Sequence, residues 1–142
     1  MLVTQIIREK GDTVFTISPH ETVAQASALL YERKVGAVVV LDERDTVVGI
    51  LSERDVVRVV ALHGPEGLSR PVGLYMTREV IFADPSETVD TLLGRMTDRR
   101  VRHLPVLVEG RLAGLVSIGD LVKRKIAETE AEAETLKAYI AT

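Results

Sequence analysis

One internal duplication constrains this chain more than any other feature. Residues 13–43 align with 79–109 at a constant offset of 66, and 46–57 align with 111–122 at an offset of 65. Identical pairs run the length of the match: Val14/Val80, Pro19/Pro85, Glu21/Glu87, Thr22/Thr88, Val23/Val89, Val35/Val101, Val40/Val106 and Leu41/Leu107. They continue through Gly49/Gly114, Ser52/Ser117, Asp55/Asp120 and Val57/Val122. The slip of one residue falls at a turn, where Glu43-Arg44-Asp45 faces Glu109-Gly110. A stacked solenoid needs at least about three copies of a shorter unit. Two copies of this size instead predict two related units folded against each other.

Each copy carries the same order of elements. A short β-branched strand, Thr13–Ile17 or Glu79–Ala83, ends at a proline. A helix follows, opened in the first copy by Thr22 and Gln25, which have the spacing of a capping box. In the second copy Val89, Leu92, Leu93 and Met96 fall at i, i+3, i+4 and i+7, an apolar helical stripe. Two strands come next: Ala37–Leu41 with Val47–Leu51, and His103–Val108 with Leu112–Val116. Their near-continuous Val, Ile and Leu content predicts sheets covered on at least one face. A second helix begins after Ser52 and after Ser117. The expected fold is mixed α/β (α+β), two β-α-β-β-α repeats packed about a pseudo-twofold axis with an extended C-terminal helix.

The divisions follow. Residues 4–62 form repeat one, 63–71 a linker rich in Gly and Pro, 72–126 repeat two, and 127–142 a helical extension. A short amphipathic helix is expected over residues 2–9. From Asp120 no Gly or Pro interrupts the chain, and Val122, Ile126, Thr129, Ala133, Leu136 and Ile140 make a heptad-like seam. That seam fits a helix lying on its own repeat, and equally one that meets a second subunit or an effector. Glu128, Glu130, Glu132 and Glu134 read as a solvated face.

Composition removes several function classes. The 142 residues include no Cys, which excludes thiol catalysis, thiolate metal sites and disulfide scaffolds. The net charge is −3, with 8 basic and 10 acidic residues in 1–70 and 10 and 11 in 71–142. With only five Phe and Tyr rings and no basic stripe, nucleic acid is not an expected partner. No signal peptide or membrane-spanning run is present, so a soluble, cytoplasmic chain is expected, without a membrane partner. Phosphate-binding loops, G-x-G-x-x-G, H-E-x-x-H and G-x-S-x-G are all missing. His20-Glu21 and His103 are the histidines near carboxylates or pockets, and nothing pairs them with a nucleophile. No catalytic residues, catalytic cofactor or metal site are expected.

The copies agree most tightly at GILSERDV (49–56) and GLVSIGDL (114–121). Gly admits close backbone approach as the strand ends. Ser caps the following helix, whose unpaired N–H groups and positive dipole end favour an anion such as phosphate. Asp, one turn in, has the acceptors to hold a vicinal diol such as a ribose. The same Ser-x-x-Asp spacing is also a plain capping box. The pattern alone leaves both readings open.

Taken with V-x-x-x-x-P-x-x-T-V at 14–23 and 80–89 and the segments KVGAVVVLDE and RVRHLPVLVE, this order resembles a tandem pair of CBS (cystathionine β-synthase) domains, over residues 4–126. The resemblance implies a stand-alone regulatory module that is not an enzyme and binds AMP, ADP, ATP, NAD or S-adenosylmethionine between its repeats. It also implies disc-like homodimers and an effector protein regulated in trans. By matched position, Asp55 and Asp120 would hold ribose hydroxyls. Ser52 with Arg54, and Ser117 with Gly119, would lie near phosphates. Thr16 and Phe82, on to Pro19 and Pro85, would meet the base. Val35, Gly36 and Ala37, with Arg102, His103, Leu104 and Pro105, would form the second-strand walls. Arg54 matches Gly119 and Gly36-Ala37 match Arg102-His103, so the two clefts are expected to differ in charge and room.

The remaining basic residues have plainer readings. Arg95, Arg99 and Arg100 are cations late in a helix, where they complement its dipole. His20 and His63 read as surface or loop residues, and Lys123, Arg124 and Lys125 as the solvated flank of the last helix.

Overall fold

The computed structural model describes residues 2–10 and 14–141. Helix α1 (Val3–Lys10) leads into β1 (Thr16–Ile17), α2 (Val23–Arg33), β2 (Ala37–Leu41), β3 (Val47–Ser52) and α3 (Glu53–His63). Two 3-10 turns, Gly64–Ser69 and Val72–Leu74, occupy the expected linker and the start of repeat two. The second copy supplies α4 (Val89–Arg99), β4 (His103–Val108), β5 (Arg111–Ser117) and α5 (Ile118–Ala141).

Local chemistry explains the helix starts. Thr22 Oγ1 accepts the Gln25 N–H at 3.1 Å, and Gln25 Oε1 accepts the Thr22 N–H at 2.8 Å, closing the expected capping box. Thr88 caps α4 in the same way through the Thr91 N–H at 3.2 Å. On α4, Val89, Leu92 and Met96 are buried, and Leu93 packs against the same cluster.

The sheets differ between copies, and one residue accounts for it. In repeat one β1 pairs parallel with β2, which pairs antiparallel with β3. The expected start of that strand, Thr13, lies outside the described residues. In repeat two β4 and β5 form a two-stranded sheet, and the expected strand Glu79–Ala83 is reduced to an isolated bridge between Ala83 and Val106. The Val39 N–H donates to Phe15 O at 3.3 Å in repeat one. The matching residue in repeat two is Pro105, which has no N–H to give the carbonyl of Ile81. Only the flanking rungs survive there, Ala83 N–H to Pro105 O at 2.9 Å and Leu107 N–H to Ala83 O at 3.3 Å.

The two copies are tied by exchange of the segments that precede them. Val3 and Thr4 donate backbone N–H groups to Glu87 O and Pro85 O of repeat two, each at 3.0 Å. Val72 and Gly73 return the pattern to Glu21 O at 2.7 Å and Pro19 O at 2.8 Å of repeat one. The cores follow suit. Val3 and Ile6 are buried with Leu92, Leu104, Val116 and Leu121, whereas Val72 and Met76 are buried with Ile17, Val38, Val40 and Leu51. Burying a side chain of this size contributes about 1.5–3 kcal/mol, so each repeat depends on the segment leading the other.

This exchange also explains the duplicated glycine. A Cβ on Gly49 would lie 2.5 Å from Met76 Sδ, and one on Gly114 would lie 2.9 Å from Ile7 Cδ1.

Helix α5 spans 24 residues, about 36 Å. Its start is held by Leu121, by an ion pair of Arg124 with Glu9, and by Lys125 with Asp90 at 2.9 Å. From Thr129 to Ala141 every residue is exposed, and Val122, Ile126, Leu136 and Ile140 of the seam are 42–74% exposed. The repeats of this chain therefore do not cover the seam. No helix among the described residues is long and apolar enough to cross a membrane.

Candidate functional site

The start of α3 forms one wall of a cleft of about 250 Å³ between the repeats. Repeat one contributes Gly36, Ile50, Ser52, Glu53, Arg54, Asp55 and Arg58. Repeat two contributes Thr77 from its leading segment and Arg100, Val101, Arg102 and His103 from the turn between α4 and β4. Six residues expected at a site are thus brought together: Gly36, Ser52, Arg54, Asp55, Arg102 and His103.

Ser52 and Asp55 close a capping box. Asp55 Oδ2 accepts from the Ser52 N–H at 2.8 Å and the Ser52 hydroxyl at 3.1 Å, and Arg58 donates to Oδ1 at 2.8 Å. Asp55 is 4% exposed, the one buried charged residue among those described. The capped carboxylate borders the cleft. Thr77 reaches the cleft by an antiparallel bridge, with Ile50 N–H to Thr77 O at 3.1 Å and Thr77 N–H to Ile50 O at 2.9 Å.

The cleft is rich in uncommitted positive charge. The guanidinium groups of Arg54, Arg100 and Arg102 are exposed and make no hydrogen bond or ion pair among the described residues. Arg100 takes a left-handed backbone conformation, φ 55°, as α4 ends. His103 sits against Gly36, where an added Cβ would lie 2.9 Å from Nε2. Burial, then the charge of Lys10 and more weakly Arg102, holds the His103 pKa below its ordinary value against the opposing pull of Glu53 and Asp120. The imidazole is accordingly neutral near pH 7.

The second copy of the motif has a different neighbour. The Ser117 N–H donates to Asp120 Oδ2 at 2.9 Å, and the Asp120 N–H donates to Ser117 Oγ at 3.1 Å. Lys10, at the end of α1, donates to Asp120 Oδ2 at 2.7 Å and to Leu115 O at 2.9 Å. Burial raises the Asp120 pKa. The Lys10 hydrogen bond and charge, with the bonds from Ser117, outweigh that and hold it below the ordinary carboxylate value. A Cβ on Gly119 would make an ordinary contact with Ser117 Oγ, at 3.6 Å.

Several expected residues fall elsewhere. Thr16 lines a separate depression with Val14, Leu41 and the hairpin turns of both repeats. Pro19 borders another beside His20 and Asp42, and Val35 a third beside Tyr31 and Lys34. Ala37, Leu104 and Pro105 are buried in the sheets, and Phe82 is half-buried with its carbonyl accepting from Arg95 at 3.0 Å. On the free edge of β3 the neighbour of Ile50 is Thr77 from repeat two's leading segment, whereas repeat one's own first strand pairs with β2 on the other side. Arg95 is engaged with Glu87, and its guanidinium lowers the Glu87 pKa while its own is raised.

Ile50, Glu53, Arg58, Thr77 and Lys10 were not expected at a site. Arg58 was readable, since it follows Asp55 by three residues on one helix face. Thr77 and Lys10 precede the aligned windows, so the duplication gave them no matching position.

The CBS domain family matches residues 5–62 and again 72–126. The mitochondrial CBS domain-containing protein CBSX3 of Arabidopsis thaliana is 33% identical, over 97% of this chain and 71% of that protein. The crystal structure of the CBS-domain containing protein ATU1752 from Agrobacterium tumefaciens superposes with a TM-score of 0.85 at 41% identity, covering 87% of this chain and 92% of that one. The CBS domain protein PAE2072 from Pyrobaculum aerophilum, complexed with AMP, shares the fold at a TM-score of 0.76 and 22% identity, over 84% of this chain and 89% of that one.

Proposed function

The chain belongs to the CBS-domain family and carries two copies of that domain; on that premise we propose that it is a non-catalytic regulatory module that binds adenine nucleotides between its repeats, AMP first, with ADP, ATP and NAD as further candidates. One observation carries the reading. The cleft at Ser52–Asp55 joins a capped helix start from repeat one to three arginines with no ion pair among the described residues, two of them from repeat two. Helix N–H groups and guanidinium groups together are an anion site, and Asp55 supplies a carboxylate to a diol. The Pyrobaculum aerophilum protein, with AMP bound to the same fold, supports an adenine nucleotide.

A ligand held by both sides would draw the repeats together and favour the arrangement in which both sides can hold it. The output is proposed to act in trans on a partner protein. The chain is proposed to work as a cytoplasmic homodimer.

Calorimetry on protein freed of bound nucleotide tests this. Micromolar-range heat with at least one of AMP, ADP, ATP or NAD is expected, lost or strongly weakened in Asp55→Ala. No heat with any adenosine compound would sink the proposal.

A second reading has its own observation. Leu136, Tyr139 and Ile140 are 59–79% exposed on the C-terminal half of α5, a surface suited to a ligand-independent scaffold or dimer contact. It predicts that removing residues 127–142 abolishes association while nucleotide changes nothing.

A further inference from the structure

We infer that Lys10 is a built-in occupant of the second motif, so that a nucleotide bound at Ser117–Asp120 takes Asp120 away from the end of α1. This rests on the nucleotide reading above and adds a regulation to it. Lys10 Nζ has two acceptors at the second motif, Asp120 Oδ2 at 2.7 Å and Leu115 O at 2.9 Å. A diol held by Asp120 would compete for the same carboxylate oxygen.

The two clefts differ in where the resident cation comes from. Arg58, which holds Asp55, stands three residues along the same helix, so Asp55 is freed by a change of rotamer within α3. Lys123 aligns with Arg58 and makes no ion pair among the described residues. Its place is taken by a residue from the segment leading the other repeat.

The first turns of α1 are anchored and the last is not. Val3 and Ile6 are buried, the Val3 and Thr4 N–H groups are bonded to repeat two, and Ile7 lies on Gly114. Beyond Ile7 the helix is tied down by the pairs of Lys10 with Asp120 and Glu9 with Arg124. Occupancy of the second cleft thus loosens the end of α1 beside the start of α5, while occupancy of the first does not. A ligand moves this equilibrium by its preference for the released state over the docked one.

The experiment uses the full chain, stripped of nucleotide, with AMP as probe. In an Asp55→Ala background, which isolates the second cleft, adding Lys10→Met is expected to tighten AMP by about fivefold, the upper range for a partly exposed ion pair. Lys10→Arg should restore the weaker binding. Hydrogen exchange of residues 7–10 should speed up on AMP saturation when Lys10 is present and stay fast throughout in Lys10→Met. Unchanged or weaker AMP binding in Lys10→Met, with heat still measured, overturns the latch and leaves the nucleotide reading standing. Binding in the unmodified chain with none in the Asp55→Ala background, with or without Lys10→Met, overturns the latch alone; absence of binding in the unmodified chain overturns both.

Discussion

Asp55 and Asp120 stand at the same place in two copies of one motif, each accepting the backbone N–H of its capping serine. Around Asp55 the cation is local, and three further arginines line the cleft with no ion pair among the described residues. Around Asp120 the cation arrives from α1, and Gly119 replaces Arg54. Duplication preserved the cap, which is a property of a few adjacent residues. It did not preserve the electrostatics, which depend on what another part of the chain delivers. Both carboxylates are capped and ion-paired, but the cation on Asp55 comes from its own helix and the cation on Asp120 from the segment leading the other repeat.

The strongest way to break this comparison is to remove residues 1–10. Losing the burial of Val3 and Ile6 is expected to cost about 3–6 kcal/mol, a large share of a small protein's stability. Hydrogen exchange should show the loss of protection in α4, β4 and β5 before α2, β2 and β3. Equal loss in both repeats would mean the cores are not separately completed.

Next in size is Asp55→Ala. Removing a charged acceptor is expected to weaken AMP about tenfold or more by calorimetry, and losing the Asp55 half of the capping box, with Ser52 still capping, should cost about 0.5–1.5 kcal/mol of stability. The matched Asp120→Ala should weaken total binding less, because the unmodified second cleft starts with Lys10 in place.

The third prediction concerns pH. His103 has a depressed pKa in the folded chain, so the unfolded chain takes up a proton first as pH falls below about 6.5. Stability is therefore expected to decline between pH 6.5 and the lower folded value, and to level off beneath it. His103→Gln should flatten that decline in thermal unfolding measured from pH 5 to 8. A bound phosphate would favour the imidazolium and offset the loss, so saturation with AMP should shrink the decline in the unmodified chain.

The smallest effect is expected from Arg54→Ala. An exposed cation contributes about 0.2–1 kcal/mol, so ADP and ATP should weaken by up to about fivefold and adenosine hardly at all. Equal losses across all three would give Arg54 a structural role only.

The architecture was largely legible because it is written in local signals repeated twice. The capping pairs Thr22–Gln25 and Ser52–Asp55, the α4 stripe and the four long strands all depend on residues within a turn or a hairpin of one another. The lapse at Glu79–Ala83 was in principle readable as well, since Pro105 visibly lacks the donor that Val39 uses. The candidate site was half legible. Gly36, Ser52, Arg54, Asp55, Arg102 and His103 converge, but Thr16, Pro19 and Val35 open onto other surfaces.

By itself, then, the order of residues determined two related units, their helix starts, the strand hairpin in each and a capped aspartate in each, though the first strand of repeat two formed only as an isolated bridge. Those features are set by hydrogen bonds and apolar periodicity over short stretches of chain. Only the tertiary structure decided that each leading segment crosses to the opposite repeat, that Thr77 borders the first cleft, and that Lys10 pairs with Asp120. Residues 10 and 120 are 110 positions apart, and no local propensity records which charge a distant segment will bring to a carboxylate once the cores close.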